Sequence, residues 1–166
     1  AGHEAAQIAV ADAMKAGYES TSSVLPVVNE AGAYIGLISP RSLLIKLSEY
    51  NFVSETDSEV LAHLIEFFCQ KQIAFSEAVR QALKLVEGTF GIAVLNSDYP
   101  RSMVAARRGS PLILGIGNEE FFITSDVAAT IIHTNRVVYL QDNEIVNLDN
   151  NSYSITTFDK KVVKAE

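Results

Sequence analysis

The sequence predicts an α+β fold whose sheet is mainly antiparallel. Three observations carry that prediction. Helices dominate the first part of the chain, a long series of short β-rich runs follows, and turn residues separate those runs at short intervals.

The first helix is expected from Glu4 to about Ala16, where Ala5, Ile8, Ala9 and Ala13 recur at helical spacing and Gly17 supplies a stop. The runs SVLPVVN and AYIGLIS, divided by EAG, read as a hairpin. Ser39 and Pro40 then suit the cap and first position of a helix whose apolar face is Leu43, Leu44 and Leu47. A further helix covers Ser58 to Gln70, with Val60, Leu61, Leu64, Ile65 and Phe68 in one stripe. Another runs from Ser76 to Val86 and ends at Gly88. The strand series follows as TFGIAVLN, RSMVAARR, PLILGIG, EEFFITS, RVVYLQ, EIVNL and YSITTFD, with DVAATIIHT as a short helix among them. Turns fall at Ser97 to Pro100, Gly109 to Pro111 and Gly117-Asn118.

Composition narrows the function classes. The chain of 166 residues is 48% hydrophobic and 20% charged, which is globular rather than disordered. A net charge of −7 disfavours nucleic acid and anionic lipid, and the basic pairs Arg107-Arg108 and Lys160-Lys161 are too small to make a groove. Cys69 is the single cysteine, so no disulfide framework or thiolate metal cluster is expected, and a reducing, cytoplasmic setting is the natural reading. No apolar run reaches the ~20 residues needed to span a bilayer, and the first residues lack a signal-peptide pattern.

From about residue 51 to Glu166, the runs FVSETDSEVLAHLIE, EGTFGIAVLNSDYP, MVAARRGSPLILGIG, EEFFITSD and HTNRVVYLQDNEIV carry a family likeness. This region resembles the later part of the glutaminase domain of glucosamine-6-phosphate synthase, also called glutamine–fructose-6-phosphate aminotransferase. The resemblance implies the four-layer αββα sandwich of N-terminal-nucleophile amidotransferases. It also implies a parts list: an N-terminal Cys whose own α-amine is the base, an Asn-Gly pair forming the oxyanion hole, and an Arg-Trp segment that holds glutamine. In this chain residue 1 is Ala, there is no Trp and no Asn-Gly pair. The matching substrate contact that remains is Asp57, which in the family's motif grips the amino group of glutamine. Cys69 is no substitute nucleophile by this reading, because it stands inside a helix beside Phe67 and Phe68 with no free α-amine.

The first fifty residues resemble a CBS motif through LPVVNEAGAYIGLIS, which has LPV, an acidic-Gly turn, then a Gly and a Ser before a helix. Paired CBS motifs hold adenine nucleotides, with a Ser or Thr followed three residues later by a ribose-binding Asp. Here Ser39 is the matching residue and Ser42 stands in place of the Asp. The expected organisation is a CBS-like α-β-β-α segment over 1–50 and a glutaminase-like part over 51–166, sharing one core. The helix PRSLLIKLSEY fits both families, as it would in a chimera; a divergent natural protein that only mimics CBS is the alternative.

Each sharp reading has a bland counterpart. Thr56-Asp57-Ser58-Glu59 also fits a capping box, with Thr56 as cap and Glu59 reaching back, so Asp57 would simply favour the helix start. His3, His63 and His133 show no ligand spacing; His63 reads as a half-buried residue making one hydrogen bond, and no metal site is expected. Asp142-Asn143-Glu144 and Asp149-Asn150-Asn151 are turn chemistry. Gly115-Ile116-Gly117 is a bend or turn, not a dinucleotide fingerprint. Arg107 to Pro111 is a structural motif of the family, with an anion site as its sharper alternative.

The functional expectation is a folded amidotransferase-like fragment or chimera with no catalytic residue of its own and no cofactor. It retains at most weak L-glutamine binding at Asp57 and is free to form a homodimer through the exposed hairpin. The rivals are an active glutaminase half and a CBS-type module that takes an adenine nucleotide at Ser39.

Overall fold

The computed structural model describes residues 25–28, 34–38, 50, 52–53, 57–149 and 152–163. The chain divides into two compact units, Ala1–Glu87 and Gly88–Glu166.

In the first unit, strands β1 (Leu25–Val28) and β2 (Tyr34–Ile38) pair antiparallel, as the two β-rich runs predicted. The flanking helices expected over 4–16 and after Ser39 lie outside the described residues, and so does Ser39 itself. Helix α1 (Asp57–Cys69) begins one residue before the expected start. Leu64, Ile65 and Phe68 of its predicted stripe are buried. A turn at Gln72, held in the left-handed region at φ 57, leads into α2 (Phe75–Lys84), which packs against α1. Phe75, Ala78, Val79, Ala82 and Leu83 are buried at the 3–4 spacing of a single helix face. That helix ends at Lys84 with Leu85 as its cap, short of the Gly88 that the sequence suggested as a stop.

The second unit holds two antiparallel sheets. The larger has the order β10-β9-β8-β4-β3, built from β3 (Phe90–Leu95), β4 (Ser102–Arg108), β8 (Glu144–Asp149), β9 (Ser152–Thr157) and β10 (Val162–Val163). The smaller has the order β6-β5-β7, from β5 (Ile113–Ile116), β6 (Phe121–Thr124) and β7 (Val137–Tyr139). The seven predicted strands are all present, and β10 is an eighth that the sequence reading did not separate. DVAATIIHT forms only a three-residue 3₁₀ turn, Val127–Ala129, capped by the Asp126 carboxylate on the N–H of Ala128. Helix termini leave unpaired N–H groups, and a capped turn of this size satisfies them without a full helix.

The sheets face one another through Ala105, Leu112, Leu114, Leu140, Val146, Leu148 and Ile155. The register explains this face: Ala105 sits opposite Val146, which sits opposite Ile155, so three strands place their side chains on the same side. Phe121 of β6 meets Tyr153 of β9 edge to face at 5.7 Å, bridging the layers. Gly115 lies inside β5 rather than at a bend. A Cβ there would come within 3.2–3.3 Å of Phe122, Thr130 and Thr134, so a side chain at this position would press on those three neighbours. The turn falls later, where the Gly117 N–H donates to the Glu120 carbonyl.

The chain leaves the larger sheet at Arg108, builds the smaller sheet, and returns at Glu144 beside the strand it left. The strands β4 and β8 are therefore neighbours in space although a whole sheet separates them in sequence.

Candidate functional site

Two places carry the residues that the sequence marked for chemistry. The first is the start of α1. Asp57 is the first residue of that helix, where the positive end of the helix dipole favours a carboxylate. Its side chain lies outside the described residues, as does Thr56. The residues around it form a brace. Glu59 Oε1 accepts the backbone N–H of Val53 at 2.8 Å, so the backward reach expected of Glu59 extends to a residue well before the helix. One turn on, the His63 ring lies 3.7 Å from Glu59 and its Nδ1 is 3.5 Å from Glu66 Oε2. His63 is half-buried, and its ring stacks at a tilt on Tyr50 (4.6 Å) and meets Phe52 edge-on (4.9 Å). The Tyr50 hydroxyl accepts from Gln70 Nε2 at 3.4 Å. Chain entry into the Asp57 region is thus tied to the helix along its length.

Sequence reasoning placed His63 and Glu59 on the helix but missed the aromatic side of the brace. Tyr50 and Phe52 precede α1 at alternate positions, a spacing that could have marked them as a pair facing one side. Cys69, half-buried, is the last residue of the same helix. Among the described residues, no group of three or more His, Cys, Asp or Glu could hold a metal ion. Likewise, no described helix is long and apolar enough to cross a membrane.

The second place is the Arg107-Arg108-Gly109 run, which lies where the chain leaves the larger sheet. Arg107 donates from Nε (3.0 Å) and Nη2 (2.7 Å) to Asp142 Oδ1, and from Nη1 to the Leu140 carbonyl at 3.0 Å. The Gly109 N–H donates to the same Asp142 oxygen at 2.9 Å. Those bonds hold the Asp142 carboxyl below its ordinary value, the Gly109 N–H contributing most and the Arg107 side chain next. Arg108 donates to Asn143 Oδ1 at 2.7 Å and lies over Phe90 and Phe158, 5.1 and 5.3 Å from their ring centres. Asn143 takes φ 65 in the turn, consistent with the turn role read from the sequence. Both guanidiniums thus join the exit and re-entry of the chain. This is a structural clasp, and the anion-site alternative finds these two arginines already engaged by the fold.

The fold is similar to that of glutamine amidotransferases. The chain overlays the allosteric regulatory enzyme of purine biosynthesis with a TM-score of 0.58 at 17% identity, covering 70% of this chain and 25% of that one. It overlays glutamine phosphoribosylpyrophosphate amidotransferase from B. subtilis with a TM-score of 0.59 at 17% identity, covering 89% of this chain and 34% of that one. At those identities the likeness concerns fold alone.

Sequence similarity is more specific. The chain is 49% identical over 112 residues to glutamine–fructose-6-phosphate aminotransferase (isomerizing) of Chlorobaculum tepidum, covering 66% of this chain and 18% of the relative. It is 43% identical over 117 residues to the protein of the same name from Clostridium tetani, covering 70% and 19%. The match to the Methanothermobacter thermautotrophicus protein is 46% over 98 residues, covering 59% and 17%. The homologues of this chain are therefore glutamine–fructose-6-phosphate aminotransferases, and the chain spans less than a fifth of the length of the three relatives compared. No family model matches.

Proposed function

We propose that residues 51–166 are the later part of a glutamine amidotransferase domain that retains the glutamine-gripping Asp57 and performs no glutamine hydrolysis by itself. The observation that carries this reading is the 49% identity over 112 residues to a glutamine–fructose-6-phosphate aminotransferase. Asp57 at the head of α1 suits the task, because a carboxylate there can accept N–H bonds from the ammonium of an amino acid. A single such contact without an arginine partner gives weak affinity, on the order of millimolar, or about 4 kcal/mol.

The lack of hydrolysis has a geometric argument. Cys69, the sole thiol, is twelve residues beyond Asp57 at the other end of the helix. With a rise of 1.5 Å per residue, their backbones are about 18 Å apart, whereas a nucleophile must approach to roughly 3–3.5 Å. Glutamine held at Asp57 is beyond the reach of that sulfur. Neither a Trp nor an Asn-Gly pair occurs in the sequence to supply the rest of the site that the resemblance implies.

The test is glutamate release from glutamine by the 166-residue chain, run beside calorimetric titration with glutamine. The expected result is no release, with weak binding heat that Asp57→Asn removes. Steady turnover abolished by Cys69→Ala would overturn the inactive reading. Binding that Asp57→Asn leaves unchanged would overturn the role of Asp57.

A further inference from the structure

We propose that the outer edge of β3 pairs antiparallel with the β3 of a second copy of this chain. Among the described residues, β3 ends the larger sheet, so one row of its N–H and C=O groups faces away from β4. Such an edge invites another strand unless charge, proline, a bulge or shortness blunts it. Among the described residues, the other three sheet edges of this unit are short. β10 has two residues and follows Lys160-Lys161, β7 has three and follows Arg136, and β6 has four and follows Glu119-Glu120. By contrast β3 has six residues, its pairing with β4 runs without a bulge from Phe90 to Leu95, and Thr89 to Asn96 contains no charge and no proline.

The edge is also complementary to itself. A two-fold axis perpendicular to the sheet keeps each face on its own side only when odd positions meet odd positions. Centred on Ala93, that operation sets Ala93 opposite its own copy, Ile92 opposite Val94, and Leu95 opposite Gly91. Leu95 is 71% exposed, an unusual condition for a large apolar side chain within a strand. Gly91 carries no side chain to obstruct it. The vacant Cβ direction there points to a floor formed by the Pro111 carbonyl and Ser110 Cβ at 3.4 Å and Leu112 Cδ1 at 3.9 Å. Two such exchanges, one on each side of the axis, bury both leucines.

The absence of charge within the edge means that no like charges oppose one another on pairing. Each copy nonetheless carries −7 overall, so long-range repulsion opposes association and salt weakens that repulsion. A six-residue edge falls short of the ~1,200 Å² that marks a stable interface. The dimer is therefore weak, concentration-dependent and strengthened by salt.

Sedimentation velocity on the 166-residue chain, from about 10 µM to about 1 mM, tests this across the range where weak pairs form. The expected result is a growing dimer fraction, larger at high salt, whose association constant falls at least tenfold in Ala93→Lys. Ala93 is exposed, and lysines placed opposite one another at the axis repel. A second variant, Cys69→Ser with Ala93→Cys, is expected to crosslink to itself under mild oxidation, while Cys69→Ser with Leu95→Cys is not. It decides the matter should Ala93→Lys lose its circular dichroism spectrum. A strictly monomeric chain, or a dimer that a folded Ala93→Lys leaves intact, overturns the proposal. So does a dimer lost on substituting Val27 to Lys in the β1–β2 hairpin and retained in Ala93→Lys.

Discussion

The clasp at Arg107 and the brace at Glu59 are both built from charged side chains that bind backbone, yet they solve different problems. The clasp joins residues thirty-five positions apart, at the point where the chain leaves one sheet and returns to it. The polar contacts of the brace around Glu59 and His63 join residues three to six positions apart, Tyr50 and Phe52 reach further to His63 and Gln70, and together they fix how the chain enters a single helix. A long-range tie lowers the freedom of everything between its ends, whereas a local one orders only its own few residues. Disrupting the clasp should therefore reach the whole of the second unit, and disrupting the brace should stay local.

The largest effect is expected beneath the clasp. The Leu140 carbonyl accepts from Arg107, its N–H donates to the Leu112 carbonyl, and its side chain is fully buried between the sheets. Leu140→Ala leaves the backbone bonds in place and empties the core below them, at a cost of about 2–5 kcal/mol. Urea denaturation would show it as a lower midpoint. A loss under ~1 kcal/mol would mean that the sheets repack freely and the clasp alone holds their register.

Gly109→Ala attacks the clasp from the backbone. Gly109 has φ 74, and a Cβ there would lie 2.5 Å from Thr89 Cγ2, so both strain and collision oppose the change. A cost of about 1–3 kcal/mol is expected from strain of this kind. Removing the Thr89 methyl group in a Thr89→Ser/Gly109→Ala double variant should recover the closest part of the collision and leave the strain. Equal stability of the single and double variants would show that the collision is relieved by a small shift of Thr89.

The same contrast explains what was legible in the sequence. The helices α1 and α2 and nine of the ten described strands were readable because apolar periodicity and turn residues are local signals. The antiparallel pairing was readable in kind, since short strands with short turns allow little else. The clasp was not. Nothing near Arg107 points to Asp142, and only the pairing of β4 with β8, across the inserted smaller sheet, brings them together. DVAATIIHT reads as a helix by propensity, but Thr130 and Thr134 are drawn to the Val127 and Ile116 carbonyls, and the 3₁₀ turn ends after Ala129. At the candidate site, the bond from Glu59 back to the Thr56 cap lies outside the described residues, and the contact of Glu59 with Val53 was not legible. A capping box predicts a bond within one turn, while the approach of Val53 depends on how Tyr50 and Phe52 settle on His63.

A smaller and more local effect is expected in the brace. Glu59→Ala removes the acceptor of the Val53 N–H, a bond worth about 1 kcal/mol. Amide hydrogen exchange at Val53 should quicken several-fold while exchange in β4 and β8 stays unchanged. Faster exchange across the sheets as well would mean that the brace is not local, and the distinction between the two networks would fail.

The smallest change tests the clasp through pH alone. Asp142→Asn keeps an acceptor oxygen for Gly109 and Arg107 and removes only the charge. The native Asp142 carboxyl titrates below its ordinary value of 3.8, so the folded state binds that proton less readily than the unfolded one. Stability from this group is complete above the unfolded value and is lost as pH falls through the lower folded value. At neutral pH the native chain should therefore be the more stable of the two. Its advantage should begin to shrink as pH drops below about 4 and should vanish in stronger acid, where Asp142 is protonated in both states. Denaturant midpoints of the two chains, measured side by side from neutral pH downward, would trace that convergence. Because Asp142 is exposed, salt should also narrow the gap at neutral pH. A gap that is constant with pH would assign the clasp's strength to hydrogen-bond geometry rather than to charge.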